Sequence, residues 1–208
     1  MRRLPLSFYV SAVVLFGVLG YLAHQFAYFP GDVAISQWLQ QSIPSGLELV
    51  MQAISFVSSI SAAAVIVAAV AASLWLSGRR RESIFVAGLT SAAALLNWML
   101  KLVISRPRPG SNIIQSIVPG TGFSFPSGHV TYAFVFYGFL FYLAPRLASL
   151  PAGYVALRAG LALLILLTFV SRLYLGAHWP SDVLGSLVLG SLLVALAVAW
   201  YNRSRRTT

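Results

Sequence analysis

Apolar residues along this chain fall into six long runs separated by short polar segments. A transmembrane helix needs about 20 predominantly apolar residues, and most of the runs approach that length. The fourth and fifth runs are shorter, and we expect them to extend into their flanks. The approximate bounds of the runs are 4–29, 57–76, 83–104, 130–143, 153–170 and 183–200. The pattern predicts an all-α polytopic membrane protein with about six transmembrane helices, in which residues 1–208 form a single integral membrane domain.

The first run and the mixed segment that follows it have different expected positions in the membrane. Met1-Arg2-Arg3 precedes the first run, which is longer than the apolar core of a signal peptide and has no clear cleavage site after it. We therefore expect it to be kept as a transmembrane helix. In the mixed segment 30–55, Ile35, Trp38 and Leu39 keep helical spacing among glutamines. That spacing predicts a short amphipathic helix lying in the membrane interface.

Composition agrees with a membrane protein and excludes several kinds of chemistry. The chain is 59% hydrophobic and 9% charged, whereas a soluble domain carries about 25% charged residues. It has no cysteine, which excludes thiol catalysis, disulfide bonds and Cys-ligated metal sites. The net charge of +10 comes from arginines scattered between apolar runs. This distribution favours topology signals and contacts with anionic lipids over nucleic-acid binding.

The basic residues also predict an orientation. With six spans, both termini, the second–third loop and the fourth–fifth loop lie on one side, and that side holds ten of the 14 basic residues. The positive-inside rule makes it the cytoplasmic side. These ten are Arg2, Arg3, Arg79, Arg80, Arg81, Arg146, Arg158, Arg203, Arg205 and Arg206. The other four are Lys101, Arg106, Arg108 and Arg172, and they fall on the outer side together with two histidines and an aspartate.

Ionisable residues in the stretch 171–182 are costly to place at a membrane edge, which makes them candidates for a functional site. His178 and Asp182 are four residues apart, and Pro180 suits the first turn of a following helix. Asp182 could then accept a hydrogen bond from one ring nitrogen of His178 and leave the other nitrogen free to react. The same two residues also fit an interfacial histidine and a helix-start aspartate that complements the helix dipole.

Two further outer segments carry features of a phosphate site. Pro107 and Pro109 end the third span and are expected to present Arg106 and Arg108 at the membrane surface. Ser127 is a candidate N-cap, so that the next two residues open a helix whose free N–H groups can bind an anion. Arginine matches phosphate oxygens with its planar fork, and Lys101 adds a point charge.

These segments together resemble the type 2 phosphatidic acid phosphatase (PAP2) family, over roughly the third to sixth spans. That family carries the motifs K-x(6)-R-P, P-S-G-H and S-R-x(5)-H-x(3)-D. Here they read Lys101…Arg108-Pro109, Pro126-Ser127-Gly128-His129, and Ser171-Arg172…His178…Asp182. The resemblance implies a PAP2/haloperoxidase-like helical core at about 83–200.

The resemblance also implies a role for each motif residue. His178 would be the nucleophile that forms a phosphohistidine, Asp182 would orient it, and His129 would be the general acid. No metal and no cofactor is expected, in agreement with only four carboxylates in the chain. The phosphoryl oxygens would be bound by Lys101, Arg108, Ser127, Gly128 and Arg172.

We therefore expect an enzyme that hydrolyses a phosphate or diphosphate monoester of a membrane lipid on the outer face of a bacterial inner membrane. Candidate substrates are undecaprenyl diphosphate, phosphatidylglycerophosphate and phosphatidic acid, each entering from the bilayer. A lipid phosphotransferase with the same site is an alternative. A lipid or anion transporter is a weaker one, because the charges gather at one interface and no repeat is visible. The oligomeric state stays open.

Several residues outside the motifs are expected to have structural roles. His24 would be structural or interfacial, and Arg106 would have a structural or lipid-headgroup role at least as readily as a catalytic one. Asn97 and Trp98 are expected to make polar contacts between helices. The remaining assignments are close helix packing at Ser186 and Gly190, and an aromatic interface belt at Tyr174 and Trp179.

Overall fold

The computed structural model describes residues 4–118, 120–148 and 150–204, and these form helices and loops without any β-strand. The topology assignments made for Arg2, Arg3, Arg205 and Arg206 lie outside these residues. A 3₁₀ turn at Ser45–Leu47 precedes the third helix. The α-helices are α1 (Leu6–Gln25), α2 (Asp32–Ser42), α3 (Glu48–Val57), α4 (Ile60–Leu76), α5 (Arg80–Ile104), α6 (Gly128–Leu147), α7 (Pro151–Tyr174) and α8 (Pro180–Ser204).

The expected count of about six spans is confirmed, with one span broken. Among the described residues, five helices, α1, α5, α6, α7 and α8, are long and apolar enough to cross a membrane. The pair α3 and α4 with the preceding turn is the sixth candidate, a broken span or a re-entrant loop that bends by 57° at a short break. Ser58 and Ser59 form that break, and the Ser59 hydroxyl caps α4 by accepting from the Ala62 N–H. Two serines whose side chains bond to nearby groups allow the chain to leave the helix at this point.

Helix α6 is the centre of the bundle, and its buried share is the largest among the candidate spans. Phe136, Phe139, Leu143 and Tyr137 of α6 are buried in an apolar core shared with α4, α5, α7 and α8. Ser186 and Gly190 on α8 pack closely on α6, as expected. The Ser186 hydroxyl donates to the Ser127 carbonyl, and a Cβ at Gly190 would meet Phe134 at 2.8 Å.

The described arginines of the predicted cytoplasmic side gather at one end of the bundle. Arg79 donates to the carbonyl of Arg146, which joins the start of α5 to the end of α6. Arg81 donates to the carbonyl of Tyr201 near the end of α8 at 3.1 Å. The opposite end is covered by α2 and by the loop between α5 and α6. Gln40 of α2 donates to the carbonyl of Gln115 at 2.6 Å and to that of Tyr174 at 2.9 Å.

The predicted interfacial helix at 30–55 is therefore two helices that pack on the protein. Helix α2 contacts α7 and α8, and α3 contacts α7. Trp38 of α2 is exposed, so one face of this helix stays outside the protein core. Two glutamines of α2 bind backbone carbonyls of neighbouring segments: Gln40 makes the bonds given above, and Gln37 donates to Ile113 at 3.2 Å.

Candidate active site

All three sequence motifs meet at the end of the bundle covered by α2. Lys101 lies in the last turn of α5, His129 in the first turn of α6 and Arg172 in the last turn of α7. His178 lies in the loop between α7 and α8, and Asp182 lies in the first turn of α8. Alternating helix ends thus bring together side chains that lie up to 81 residues apart in the sequence.

His178 is held between a carboxylate and a guanidinium. Its Nδ1 lies 3.4 Å from Oδ2 of Asp182, and its Nε2 lies 3.2 Å from Nη1 of Arg108. Both His178 and Asp182 are buried. The contact with a carboxylate favours the tautomer in which Nδ1 carries the proton and donates to Asp182. Nε2 then presents its lone pair towards the cation, at the place where an anionic group would bind.

The surroundings of His178 keep its ring neutral. Burial lowers the pKa of His178 well below 6.5, because a charged ring in the protein interior loses its hydration. The positive charges of Arg108, Lys101 and Arg172 lower this pKa further. The cationic residues of the first and third motifs thus act on one imidazole. A neutral ring is the form that can attack an electrophile.

A tight turn delivers His178 to this position. Gly176 has φ +65°, the left-handed region that favours glycine, and a Cβ there would overlap the Gln115 carbonyl. The carbonyl of Leu175 accepts the N–H of Ile117 at 3.1 Å, and the N–H of Ala177 bonds back to Arg172 at 3.2 Å. The turn is thereby fastened to the α5–α6 loop on one side and to the end of α7 on the other.

Arg108 joins the first motif to the third. Its Nε and Nη2 donate to the carbonyl of Thr121 at 3.1 and 3.0 Å, and its Nη1 donates to that of Ala177 at 2.7 Å. Burial lowers the pKa of Arg108 below its usual value, and the negative charge of Asp182 opposes that shift. Lys101 likewise donates to the carbonyl of Phe123 at 2.6 Å. Both cations therefore hold the loop that leads into the second motif.

The second motif opens α6, as expected, but its serine does not cap the helix with its side chain. Ser127 occupies the N-cap position, and its buried Oγ has no hydrogen-bond partner among the described residues. A Cβ on Gly128 would lie 3.4 Å from the Asn97 amide oxygen, so the start of α6 packs on α5 here. His129 is partly exposed at the helix start. The first N–H groups of α6 have no partner within the helix.

Arg172 is almost fully buried, with only 4% of its surface exposed. Its Nη1 donates to the hydroxyl of Ser55 on α3, and its Nε has no partner within the described part of the chain. An N–H donor left unpaired in the interior costs free energy, about 1–3 kcal/mol for an uncharged group and more for a charged one. A donor on Arg172 is therefore available to an anion.

Arg106 is the functional candidate that sequence reasoning left aside. It was expected at the membrane surface with a structural or headgroup role, but it is completely buried. Its guanidinium pairs with Asp182 at 2.6 Å and with Asp32 of α2 at 3.0 Å. The sequence did contain one signal for Arg106, because it is one of the four basic residues that lie on the outer side, against the positive-inside rule. Asp32 carried no signal at all.

The polar contact expected at Asn97 is confirmed, because its amide donates to the Thr131 hydroxyl on α6 at 3.0 Å. The structural role of His24 is confirmed as well, since its Nδ1 bonds with the carbonyl of Ile104 at 3.0 Å. Trp98 is exposed on the outside of α5, so its expected polar contact is wrong.

The aromatic interface belt is also wrong, because both of its members are buried. Trp179 packs on the ring of Tyr28, with centroids 5.5 Å apart. The carbonyl of Tyr174 accepts from Gln40 of α2. The segment before α2 covers Trp179, and α2 itself covers Tyr174. Without this cover both side chains would lie at the membrane interface.

Comparison with known proteins decides the family, because the sequence pattern of the PAP2 superfamily matches residues 82–206, more than half of the chain. The chain belongs to the PAP2 superfamily. Phosphatidylglycerophosphatase B of Bacillus subtilis is 28% identical over 198 residues, which cover 95% of this chain and 96% of that protein. Undecaprenyl-diphosphatase BcrC of Bacillus subtilis is 35% identical over 127 residues, which cover 58% of this chain and 60% of that relative.

The fold agrees with a solved member of the superfamily. The crystal structure of a transmembrane PAP2-type phosphatidylglycerolphosphate phosphatase from Bacillus subtilis superposes with a TM-score of 0.82 at 28% sequence identity. That superposition covers 94% of this chain and 96% of the solved one. The resemblance drawn from the three motifs is confirmed, and this PAP2 chain is a membrane-bound lipid phosphatase.

Proposed function

We propose that this PAP2 phosphatase hydrolyses a phosphate or diphosphate monoester of a membrane lipid through a phosphohistidine formed on Nε2 of His178. The observation that carries the proposal is the setting of that ring. Nδ1 is engaged by Asp182, while Nε2 points to Arg108 in a group of cations. A buried, neutral imidazole with one nitrogen anchored and the other facing cations is arranged to attack a phosphoryl group.

The reaction proceeds in two steps. Nε2 of His178 attacks the terminal phosphorus, so that a P–N bond forms and the P–O bond to the lipid-borne oxygen breaks. That oxygen leaves with a proton from His129, and the product is an alcohol or a lipid monophosphate. Water then attacks the phosphohistidine, His129 takes a proton from that water, and the P–N bond breaks to release inorganic phosphate. Asp182 stabilises the positive ring that exists while the P–N bond is present.

The cationic residues and the start of α6 stabilise the negative oxygens during both steps. Lys101, Arg108 and Arg172 supply positive charge, and Gly128 offers a backbone N–H at a helix N-terminus. Ser127 and Arg172 each carry a buried polar atom without a partner among the described residues, and both atoms suit a phosphoryl oxygen. Donors that are in place before the substrate arrives need no reorganisation in the transition state.

The substrate is a lipid that enters from the bilayer, and the site faces the outer leaflet of a bacterial inner membrane. This orientation is supported by the described arginines Arg79, Arg81 and Arg146, which gather at the opposite end of the bundle. The two Bacillus relatives named above act on an undecaprenyl diphosphate and on phosphatidylglycerophosphate by their names. Lipids of these two kinds, and phosphatidic acid, are the substrates to compare first.

The test is phosphate release by the purified protein from undecaprenyl diphosphate, phosphatidylglycerophosphate and phosphatidic acid in detergent. We expect release from at least one lipid, and we expect His178→Ala to remain folded and to retain less than a few per cent of the wild-type rate. His24→Gln is the matched control, because His24 makes a structural bond away from the cations and should stay active.

Acid-labile phosphate on the denatured wild-type protein, absent from His178→Ala, would identify the phosphohistidine. Activity in His178→Ala above that level would refute the assignment. Phosphate found on an added alcohol instead of free in solution would make the enzyme a phosphotransferase.

A further inference from the structure

Arg106 is completely buried between α2 and the start of α8, which is unusual for an arginine of a membrane protein. Nη1 donates to Oδ1 of Asp182 at 2.6 Å and to the Ser181 hydroxyl at 2.8 Å. Nη2 donates to Oδ2 of Asp32 at 3.0 Å. The guanidinium carbon also lies 4.5 Å from the centre of the Phe29 ring. A fully buried charge is tolerated only where it is paired and hydrogen-bonded, and here two carboxylates meet that need.

Asp32 is held as firmly as Arg106. Its Oδ2 accepts from the Phe29 N–H at 2.7 Å and from the Ser181 hydroxyl at 2.6 Å. Its Oδ1 accepts from the Ser181 N–H at 2.9 Å, in the first turn of α8. Asp32 therefore fixes the guanidinium and the helix start that carries Asp182. It lies 149 residues before Ser181, outside the part of the chain that the superfamily pattern matches.

The two carboxylate oxygens of Asp182 have different partners: Oδ2 faces His178, and Oδ1 faces Arg106. Oδ2 accepts from His178, from the Trp179 N–H at 2.9 Å and from the Ser124 hydroxyl. Oδ1 accepts from Arg106. The guanidinium thus occupies the carboxylate oxygen that does not face the histidine, and this leaves Oδ2 directed at Nδ1. Stability alone gives no reason for such a pair, since buried ion pairs can often be replaced by apolar residues without loss.

We infer that Arg106 and Asp32 are positioning residues for the nucleophile: Asp32 holds Arg106, and Arg106 holds Asp182 charged and oriented towards His178. This inference rests on the proposed function of His178. Neither residue touches the substrate, so their contribution passes through the imidazole. They extend the catalytic machinery to α2, a helix without any motif residue.

Removing the guanidinium of Arg106 changes the protonation of Asp182 and His178, which a loss of packing alone would not do. Arg106 supplies positive charge next to Asp182, so its removal favours protonation of Asp182 and of His178 alike. Both changes inactivate the nucleophile, and both move the acidic limb of the kcat–pH profile to higher pH. The other charged or titratable groups around the Asp182–His178 pair are Asp32 of α2, Lys101 of α5, Arg108 of the α5–α6 loop, His129 of α6 and Arg172 of α7.

The experiment compares Arg106→Gln, Asp32→Asn and the double variant by kcat, KM and pH profile. We expect Arg106→Gln to lower kcat on the order of 100-fold with KM within about threefold, since the loss of exact geometry at reacting groups has effects of this size. The acidic limb of the kcat–pH profile of Arg106→Gln should move to higher pH by about one unit or more, because a buried charge partner shifts a carboxyl pKa by that amount. Arg106→Lys should restore part of kcat, because it returns the charge.

Asp32→Asn should have a smaller effect, because an amide oxygen can still accept from Arg106. In the double variant the two losses should not add, because Asp32 acts through Arg106. Gln40→Leu is the matched control, since it removes three bonds between α2 and neighbouring backbone groups without touching the pair. We expect it to lower thermal stability and leave the acidic limb where it is.

Three outcomes would overturn the inference. The first is wild-type kcat in a folded Arg106→Gln. The second is an unmoved acidic limb in Arg106→Gln, the pattern of Gln40→Leu. The third is strict additivity of the Arg106 and Asp32 variants. Failure of the proposed function is recognised separately, by activity in His178→Ala.

Discussion

Replacing Gly185 with alanine tests whether the contact between α8 and the second motif sets the geometry of the site. A Cβ on Gly185 would overlap the ring carbons of Phe125, which lies two residues before Ser127. Carbon atoms in contact normally lie about 3.5–4.0 Å apart, so the ring would have to move by about 1 Å or more. Phe125 cannot move freely, because it is completely buried against Leu19, Ala23 and Ile104.

The expected cost follows from that geometry. Overpacking of a dense core costs about 1–3 kcal/mol, which for a chain of this size lowers Tm on the order of 5 °C. A shift of about 1 Å at Ser127 and His129 costs about 100-fold in kcat. Thermal unfolding in detergent measures the first effect, and phosphate release measures the second. The double variant Gly185→Ala with Phe125→Leu should recover part of both, because it makes room for the added methyl group.

Gly138→Ala is the matched control, because Gly138 lies on α6 and also faces α8. A Cβ there would meet Val194 at 3.6 Å, which is ordinary van der Waals contact, so activity and Tm should stay near wild type. The reasoning would be refuted by a Gly185→Ala protein with unchanged kcat, or by equal damage from both alanines.

Three further predictions use other parts of the structure. Cysteine at Ser111, exposed in the α5–α6 loop, should react with an impermeant maleimide in intact cells, while cysteine at Ser77 should react only after lysis; the reverse pattern would reject the orientation. Excess EDTA should leave phosphate release unchanged, and vanadate should inhibit, because Lys101 and arginines bind the phosphoryl oxygens; loss on chelation restored by magnesium would contradict this. The ¹⁵N resonances of His178 should remain those of neutral imidazole at pH 6.0, where an unshifted histidine is about three quarters protonated, because burial lowers its pKa; a midpoint near 6.5 would count against it.

The spans and the meeting of the three motifs were predictable from the sequence, for different reasons. Hydropathy marks a span directly, because the bilayer requires a fixed length of apolar residues. The meeting of the motif residues could be predicted because they lie alternately at the last and the first turns of consecutive spans. Consecutive spans cross the membrane in opposite directions, so these turns lie on the same side of it. Lys101, His129 and Arg172 therefore had to reach one membrane face as soon as the number of spans was correct.

The polar partners of the motif residues were not predictable. Arg106 is buried by two carboxylates that lie 74 and 76 residues away, and nothing local marks such a pairing. The burial of Trp179 has the same cause, since its cover comes from a distant segment that includes Tyr28. The second run was expected to begin at about 57, next to the break at Ser58, but the pairing of α3 with that run was not expected, because α3 lies in the mixed segment 30–55. Periodicity reports which face of a helix is apolar, but not what covers its end.

The bonds from the first 58 residues to the motif-bearing part of the chain bear on how family members could exchange parts. Ser55 holds Arg172, Asp32 holds Arg106, and His24 bonds to the end of α5. A chimera that joins residues 82–206 of this chain to the N-terminal helices of another member would keep every motif residue. We expect it to reach full activity only if the donor supplied a carboxylate and a hydroxyl at matching places. The two portions are thereby coupled in structure, although the motifs themselves all lie in one of them.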